Sequence, residues 1–312
     1  MEKEKIIIEA PFENGAGKRG ASLGPSALYH EAWNLQAHQI TEAAWETVED
    51  FNDIAVRPVH YPFSKHIEGV IKATKATAML VEKTIANHKK PIILSGDHSN
   101  AIGSVTGVKQ HFPDTRLGII WIDAHLDLHS PLTTPSGNIH GMAMNALIGD
   151  DNTVCQKNQP DADAIKQWHL LKSCGPSQIS PKIQPRDLVY IGIRDYESEE
   201  IQLAEHHGIK LFRPEVVKKL GMNAILQEAL NYLSACDHLY ISFDVDSMDP
   251  GISRGTGTPV PDGLSLEDAA LVFKTLLNNP KTVAFEITEI NPLLDSENAM
   301  AKAVVQLLDA AW

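Results

Sequence analysis

Cysteine is scarce in this chain, and its scarcity removes two readings at once. Cys155, Cys174 and Cys236 are the only three in 312 residues, too few and too scattered for a disulfide scaffold or a zinc knuckle. They fit a reducing, cytoplasmic compartment. Long apolar runs are missing as well: no segment approaches the ~18 apolar residues that cross a bilayer. The opening MEKEKIIIEAPF is a short apolar run with acidic flanks, which is no signal peptide. Basic charge is in deficit, with 27 Lys and Arg against 40 Asp and Glu and a net charge of -13. That balance argues against nucleic acid and anionic membranes as partners, and it leaves metal cations or a cationic small substrate open. No internal repeat of fixed period is present.

What is present is ample core material. Hydrophobic residues make up 43% of the 312, enough for two domains or one large one. No linker interrupts the pattern, so a single domain over 1–312 is expected. IIIEA (6–10) reads as a strand, followed by the glycine-rich loop NGAGKRGASLGP (14–25), and Pro25 stands where a helix starts. A helical pattern covers about 68–88, and PIILSGDHS (91–99) is strand then turn. RLGIIWIDAHLD (116–127), DLVYIGIRD (187–195), HLYISFDVD (238–246) and TVAFEITE (282–289) repeat the form, each an apolar run ending in acidic residues. Helix-like segments near 199–207, 223–235 and 266–277 lie between them. The last opens with Ser265 and Asp268 at capping-box spacing, and 297–312 is a closing helix. Continuous apolar strands alternating with helices mean an α/β fold with a parallel sheet covered on both faces. A (β/α)8 barrel uses the same grammar and stays open at this point. The least patterned stretch, 150–185, reads as a surface insertion.

In parallel sheets, ligands bind beyond the carboxyl ends of the strands. The strands here deliver GDHS, DAHLD, RD, DVD and TE to that edge. One Asp after a strand is ordinarily a turn or helix cap. Asp123, Asp127, Asp244 and Asp246 together are different, because carboxylates crowded in one pocket repel by roughly several kcal/mol. Something positive has to sit among them. His98 and His125 add nitrogen donors suited to metals. This set is too large for one tetrahedral zinc and contains no Cys, and O/N-only sites suit Mn²⁺, Mg²⁺ or Fe²⁺. If two carboxylates bridge, two cations ~3.5–4 Å apart can share the set. A single-metal site stays open from the residues alone.

The motifs GDHS (96–99), DAHLD (123–127), SGNIHG (136–141), YIGIRD (190–195), SFDVDSMDP (242–250), GTGTPVPDGL (255–264) and TEINP (288–292) resemble the signature blocks of the arginase/agmatinase family, the ureohydrolases. GKRGASLGPSAL (17–28) is similar to the N-terminal block of that family. The resemblance implies a three-layer α/β/α sandwich around a mainly parallel sheet, in place of a barrel. It also implies a dimanganese site, two Mn²⁺ per chain. By position, one metal would be held by His98, Asp123, Asp127 and Asp244. The other would be held by His125, Asp123, Asp244 and Asp246, with Asp123 and Asp244 bridging. Within the family, SPLTTPSGNIHG (130–141) looks like arginases more than agmatinases or formimidoylglutamases. The implied reaction is hydrolysis of L-arginine to L-ornithine and urea, by attack of a metal-bridging hydroxide on the guanidinium carbon. Asp127 would accept a hydrogen bond from the hydroxide and help the proton reach the departing amine. His140, with an ordinary near-neutral pKa, would shuttle protons near the mouth. Glu289 would pair with the guanidinium group. Asp249 and Thr258 would support the site, and Arg194 would pair with a carboxylate structurally.

Substrate-tail recognition departs from the family pattern. His129 stands where arginases commonly carry Asn for the α-carboxylate, and Glu197 where they place Asp toward the α-ammonium. Glu200 matches the second acidic position, while Thr134 and Ser136 are retained. Another small guanidino substrate (agmatine, guanidinobutyrate or formimidoylglutamate) therefore stays open. So does, behind these, a non-catalytic metal-binding protein on the same fold. The sequence stops at Trp312, so a homo-oligomer, if formed, is not expected to use a C-terminal tail.

Overall fold

In a computed structural model, which describes residues 3–312, every apolar run read above is a strand. These are β1 (Lys5–Ala10), β3 (Lys90–Ser95), β4 (Leu117–Ile122), β5 (Leu188–Ile191), β7 (His238–Asp244) and β8 (Thr282–Thr288). Two more, β2 (Ala44–Thr47) and β6 (Lys210–Phe212), complete an eight-stranded sheet in the order β2-β1-β3-β8-β7-β4-β5-β6. Every pairing is parallel. The two strands absent from the sequence reading are the sheet's edges. They are short and largely half-exposed, so they lack the continuous apolar run by which buried parallel strands are recognised.

Among the described residues eleven α-helices accompany the sheet: α1 (Gly24–Asn34), α2 (His38–Thr41), α3 (Ile67–Ala86), α4 (Ala101–His111), α5 (Ala143–Ile148), α6 (Ala162–Lys172), α7 (Ser198–His206), α8 (Pro214–Leu220), α9 (Met222–Tyr232), α10 (Leu266–Val272) and α11 (Ala299–Ala311). Alternation along the strands sends side chains to opposite faces. Ile7, Ile92, Leu94, Ile120 and Ile122 pack with α1, α2 and α8–α11, while Ile6, Ile8, Ile93, Ile119 and Trp121 pack with α3–α7. The result is the expected three-layer α/β/α sandwich. In α3, buried Ile67, Val70, Ile71, Thr74, Ala78, Val81 and Ile85 fall at helical spacing and form one apolar stripe. That stripe meets α4 at very short range: a Cβ on Gly107 would lie 2.6 Å from the Ala78 carbonyl oxygen.

The stretch 150–185, expected as a surface insertion, carries α6 and sends Trp168, Leu171 and Ile183 into the α3–α7 layer. Trp168 Nε1 and Lys172 Nζ both donate to Asp151 Oδ1, at 2.7 and 2.6 Å. Strand order positions the site. The chain builds β3, crosses over to β4, and only later returns to insert β7 and β8 between them. The four acid-bearing strand ends are therefore side by side at the centre of the sheet.

Candidate metal centre

Each candidate ligand leaves the carboxyl end of a central strand. After β3 the chain turns at Gly96, whose missing Cβ lets it pass 2.1 Å, measured from the Cβ site, from the Phe12 carbonyl oxygen. Asp97 then caps the next turn by accepting from Ser99 N at 2.9 Å, and His98 is set inward. Asp123, His125 and Asp127 follow β4. Asp244 ends β7, and its Oδ1 accepts from Asp246 N at 2.8 Å, which fixes the DVD turn. His98 Nδ1 lies 3.0 Å from Asp123 Oδ2, 3.2 Å from Asp127 Oδ2 and 3.1 Å from Asp244 Oδ2. His125 Nδ1 lies 3.0 Å from Asp246 Oδ2 and 3.5 Å from Asp123 Oδ1. Two donor sets result: His98, Asp123 and Asp244, and Asp123, His125 and Asp246, with donor atoms within 4.8 Å of one another in each. Asp123 belongs to both, one oxygen to each set.

These groups fit cations better than they fit one another. Although three carboxylate oxygens surround it, His98 Nδ1 makes no hydrogen bond, and neither does Asp127 Oδ2; both atoms are fully buried. Buried polar atoms without partners are rare and call for an occupant. Burial and the neighbouring Asp123 charge raise Asp127 to about 6, and burial with like-charge repulsion also pushes Asp244 up. Burial raises Asp246, partly offset by His125. Burial would raise Asp123 as well, but His125 and His98 beside it outweigh that and take it down. Crowded, dehydrated carboxylates with imidazole nitrogens among them are the donor chemistry of hard divalent cations.

Glu289 and His140 form the adjacent wall. Glu289 Oε1 accepts from His98 N and from His140 Nδ1, both at 3.0 Å. Burial alone would lower His140, but the Glu289 hydrogen bond and charge outweigh it and raise the imidazole to about 9. The Glu289 partner thus favours the protonated imidazole. Asp127 and Glu289 both adopt left-handed backbone, at φ 52 and 66, a conformation that costs non-glycine residues about 1–3 kcal/mol. The Asp127 carbonyl is held by Met144 N at 3.0 Å and Asn145 N at 3.2 Å, and Asn145 Nδ2 holds the next carbonyl, that of Leu128, at 3.0 Å.

Several supporting residues were not singled out from the sequence. Trp121 stacks on His98 (centroids 3.9 Å, 7° apart) and donates Nε1 to Asp123 Oδ2 at 2.9 Å. Ser242 Oγ lies 2.7 Å from His98 Nε2. Each stands on its strand two residues before a ligand, hence on the same face, and that spacing is the signal that could have found them. Thr258 Oγ1 donates to Asp246 Oδ2 at 3.0 Å, as expected of a supporting residue. Asp249 instead holds its own turn through Gly251 N and Gly263 N. Among the described residues Arg194 pairs with no carboxylate; its guanidinium donates to backbone carbonyls, those of Pro261, Val260 and Asp246 among them.

The cavity over the donor sets is lined at its outer end by His129, Thr134, Ser136, Asn138, Asp195, Glu197 and Glu200. His129 Nδ1 is 3.1 Å from Thr133 Oγ1, and Nε2 is 3.0 Å from Glu197 Oε2. Its hydrogen bond holds Glu197 low, at about 2, against the effect of burial. Thr134 Oγ1 accepts from Gly137 N at 2.9 Å and Ser136 Oγ from Asn138 N at 3.1 Å, which leaves both hydroxyl protons to give.

A strand-end pair of O/N donor sets on an all-parallel α/β sheet defines the class: a protein with a candidate binuclear metal site. The sequence profile described as the arginase family matches residues 3–311. The arginase of Bacillus subtilis (strain 168) is 34% identical over 99% of this chain and 98% of its own length. The arginase structure from Bacillus caldovelox superposes with a TM-score of 0.82 at 30% identity, covering 99% of this chain and 98% of that one. The Entamoeba histolytica arginase structure, in complex with L-ornithine, gives 0.83 at 27% identity, covering 100% and 99%. The chain belongs to the arginase family. Members of that family are hydrolases acting on a guanidino group and the family implies a binuclear metal site, so the chain is an enzyme.

Proposed function

We propose that this chain is an arginase that hydrolyses L-arginine to L-ornithine and urea with two Mn²⁺. The observation that carries the reading is the pair of donor sets sharing Asp123 beneath a cavity with a charged wall. His98, Asp123, Asp127 and Asp244 would hold one cation, and His125, Asp123, Asp244 and Asp246 the other. When bound, the pair supplies Lewis-acid charge and a water of lowered pKa.

The remaining work falls to the chain's own side chains. Glu289 keeps Oε1 tied to His98 N and His140, leaving its second oxygen for the guanidinium group, a planar cation suited to a carboxylate. Asp127 would accept a hydrogen bond from the attacking water and help its proton reach the departing amine. Water adds to the guanidinium carbon, the bond from that carbon to the side-chain nitrogen breaks, and the leaving amine needs a proton. His140, whose protonated form Glu289 favours, would carry one to it and regain one from the added hydroxyl as the carbonyl of urea forms. Thr134, Ser136, Glu197 and Glu200 would meet the far end of the substrate, with His129 beside Glu197. Three unpaired cysteines suit the cytoplasm, and among the described residues no helix is long and apolar enough to cross a membrane.

The test is urea release by Mn²⁺-loaded protein, screened over arginine, agmatine and guanidinobutyrate. Turnover of arginine is the expected result. No urea from arginine at full Mn²⁺ occupancy would overturn the reading.

A further inference from the structure

The outer end of the cavity is acidic and has no uncommitted cation. Its lining contains neither Lys nor Arg. Its basic groups are four imidazoles, of which His98 and His125 face the strand-end carboxylates and His140 faces Glu289. His129 is the fourth, and it is 5% exposed with both ring nitrogens engaged, by Thr133 and by Glu197. Glu200 Oε2 lies a further 3.5 Å from the same Nε2. The partners come from separate segments. His129 belongs to the loop after β4, whereas Glu197 caps α7 in the segment after β5. Glu200 joins the same two segments, accepting from Leu128 N at 2.9 Å and from Glu197 N at 3.1 Å.

This arrangement decides what His129 can do for a substrate. To meet a substrate carboxylate, its Nε2 would have to leave Glu197, exchanging one charged hydrogen bond for another of the same kind with nothing gained. Glu197 is placed differently. Its side chain is 52% exposed at the rim, with Asp195 lining the same cavity, so an arriving ammonium finds carboxylate already in position.

Building on the arginase reading, we propose that His129 is a positioning residue that holds Glu197 at the rim, so that the tail subsite selects the α-ammonium of the substrate. The carboxylate is left to the neutral donors of Thr134, Ser136 and Asn138.

A matched set of compounds tests this in Mn²⁺-loaded protein. Agmatine is arginine without the carboxylate, and 5-guanidinopentanoate is arginine without the α-ammonium. The expected kcat/KM for agmatine exceeds that for 5-guanidinopentanoate by about tenfold or more. Glu197→Gln and His129→Asn should each weaken arginine and agmatine by about tenfold, mainly through KM, and leave 5-guanidinopentanoate within about threefold. Glu197→Asp should restore part of the loss. Equal or reversed order of the two analogues overturns the proposal. So does a His129→Asn variant that loses the carboxylate substrate selectively, or a uniform loss of all three substrates in both variants, the mark of a merely structural role. Calorimetric binding of L-ornithine, 1,4-diaminobutane and 5-aminopentanoate supplies a readout free of turnover. Should no guanidino compound release urea, the arginase reading fails, while tighter binding of the diamine than of the amino acid lacking the α-ammonium still supports the role of His129. No preference between them overturns it.

Discussion

Trp121→Phe isolates one hydrogen bond to the carboxylate shared by both donor sets. Trp121 is fully buried, lies flat on the His98 ring with centroids 3.9 Å apart, and donates Nε1 to Asp123 Oδ2 at 2.9 Å. Phe preserves a ring to stack on His98 and removes only the donor and part of the indole volume. Asp123 Oδ1 keeps its hydrogen bond from His125 N at 2.7 Å, so the carboxylate stays in place but is free to rotate about that anchor. A hydrogen bond to a charged acceptor contributes ~1.5–3 kcal/mol, which at ~1.4 kcal/mol per tenfold predicts Mn²⁺ binding weaker by ~10–100-fold. Outer partners of metal ligands have effects of about that size, ~10–100-fold. The lost volume destabilises the fold separately, by ~1–3 kcal/mol, but it does so with and without metal and cancels from the affinity. The assay is competition for Mn²⁺ against a calibrated chelator, paired with thermal melting of the metal-free protein and with urea release at saturating Mn²⁺. A metal affinity within about threefold of the parent, or tighter, would refute the argument that this N–H orients Asp123.

Mn²⁺ at ~100 times its Kd should stabilise the fold by ~2.7 kcal/mol. Melting temperature should accordingly rise by several degrees over that in EDTA, and Asp244→Asn should lower both metal occupancy by elemental analysis and activity; no bound metal in the parent protein would sink the binuclear reading. His140→Asn should cut turnover by ~10²-fold with both metals retained, and added imidazole should return part of the rate; loss of metal with the activity would show His140 to be a ligand. Burial lowers Lys182 from 10.5 to about 8 in the folded state. Between those values the unfolded chain binds a proton that the native state lacks, so stability relative to Lys182→Met should rise with pH by up to ~3 kcal/mol. A difference flat between about pH 8 and 10.5 would contradict this.

How much of this was legible in the sequence depended on where each element lies. β1, β3, β4, β5, β7 and β8 are buried on both faces, so each is written as a largely apolar run. AWET at the β2 edge is exposed at both ends and half-buried between, and carries no such mark. Glu286 is a different failure. It sits wholly buried inside β8, accepting from Ser95 Oγ at 2.6 Å and from the Tyr240 hydroxyl, yet nothing local separates it from a strand-end acid. The candidate ligands stood out because clustered Asp and His after apolar runs have no structural use. Asn145 had no such signal: its hold on Leu128 exists only once α5 has docked. The pairing of His129 with Glu197 also joins residues far apart in the chain. Taken singly, the two looked like separate readers of a substrate; brought together, they satisfy each other.

The same contrast explains why the site tolerates so much local cost. Asp127 and Glu289 are held in left-handed backbone at about 1–3 kcal/mol each, and four carboxylates are dehydrated within a few ångströms of one another. Such strain survives only where the surroundings leave no alternative. Here the surroundings are the four central strands, whose neighbours on both sides fix their register, and the helical layers that pack their apolar faces above and below. Relaxing Asp127 would break the hydrogen bonds to Met144 N and Asn145 N at the start of α5. Relaxing Glu289 would release Gly96 O, His98 N and His140 together. The conformations that aim these carboxylates into the cavity are therefore enforced by the core of the sheet, and the cations the donor sets call for relieve the repulsion that remains.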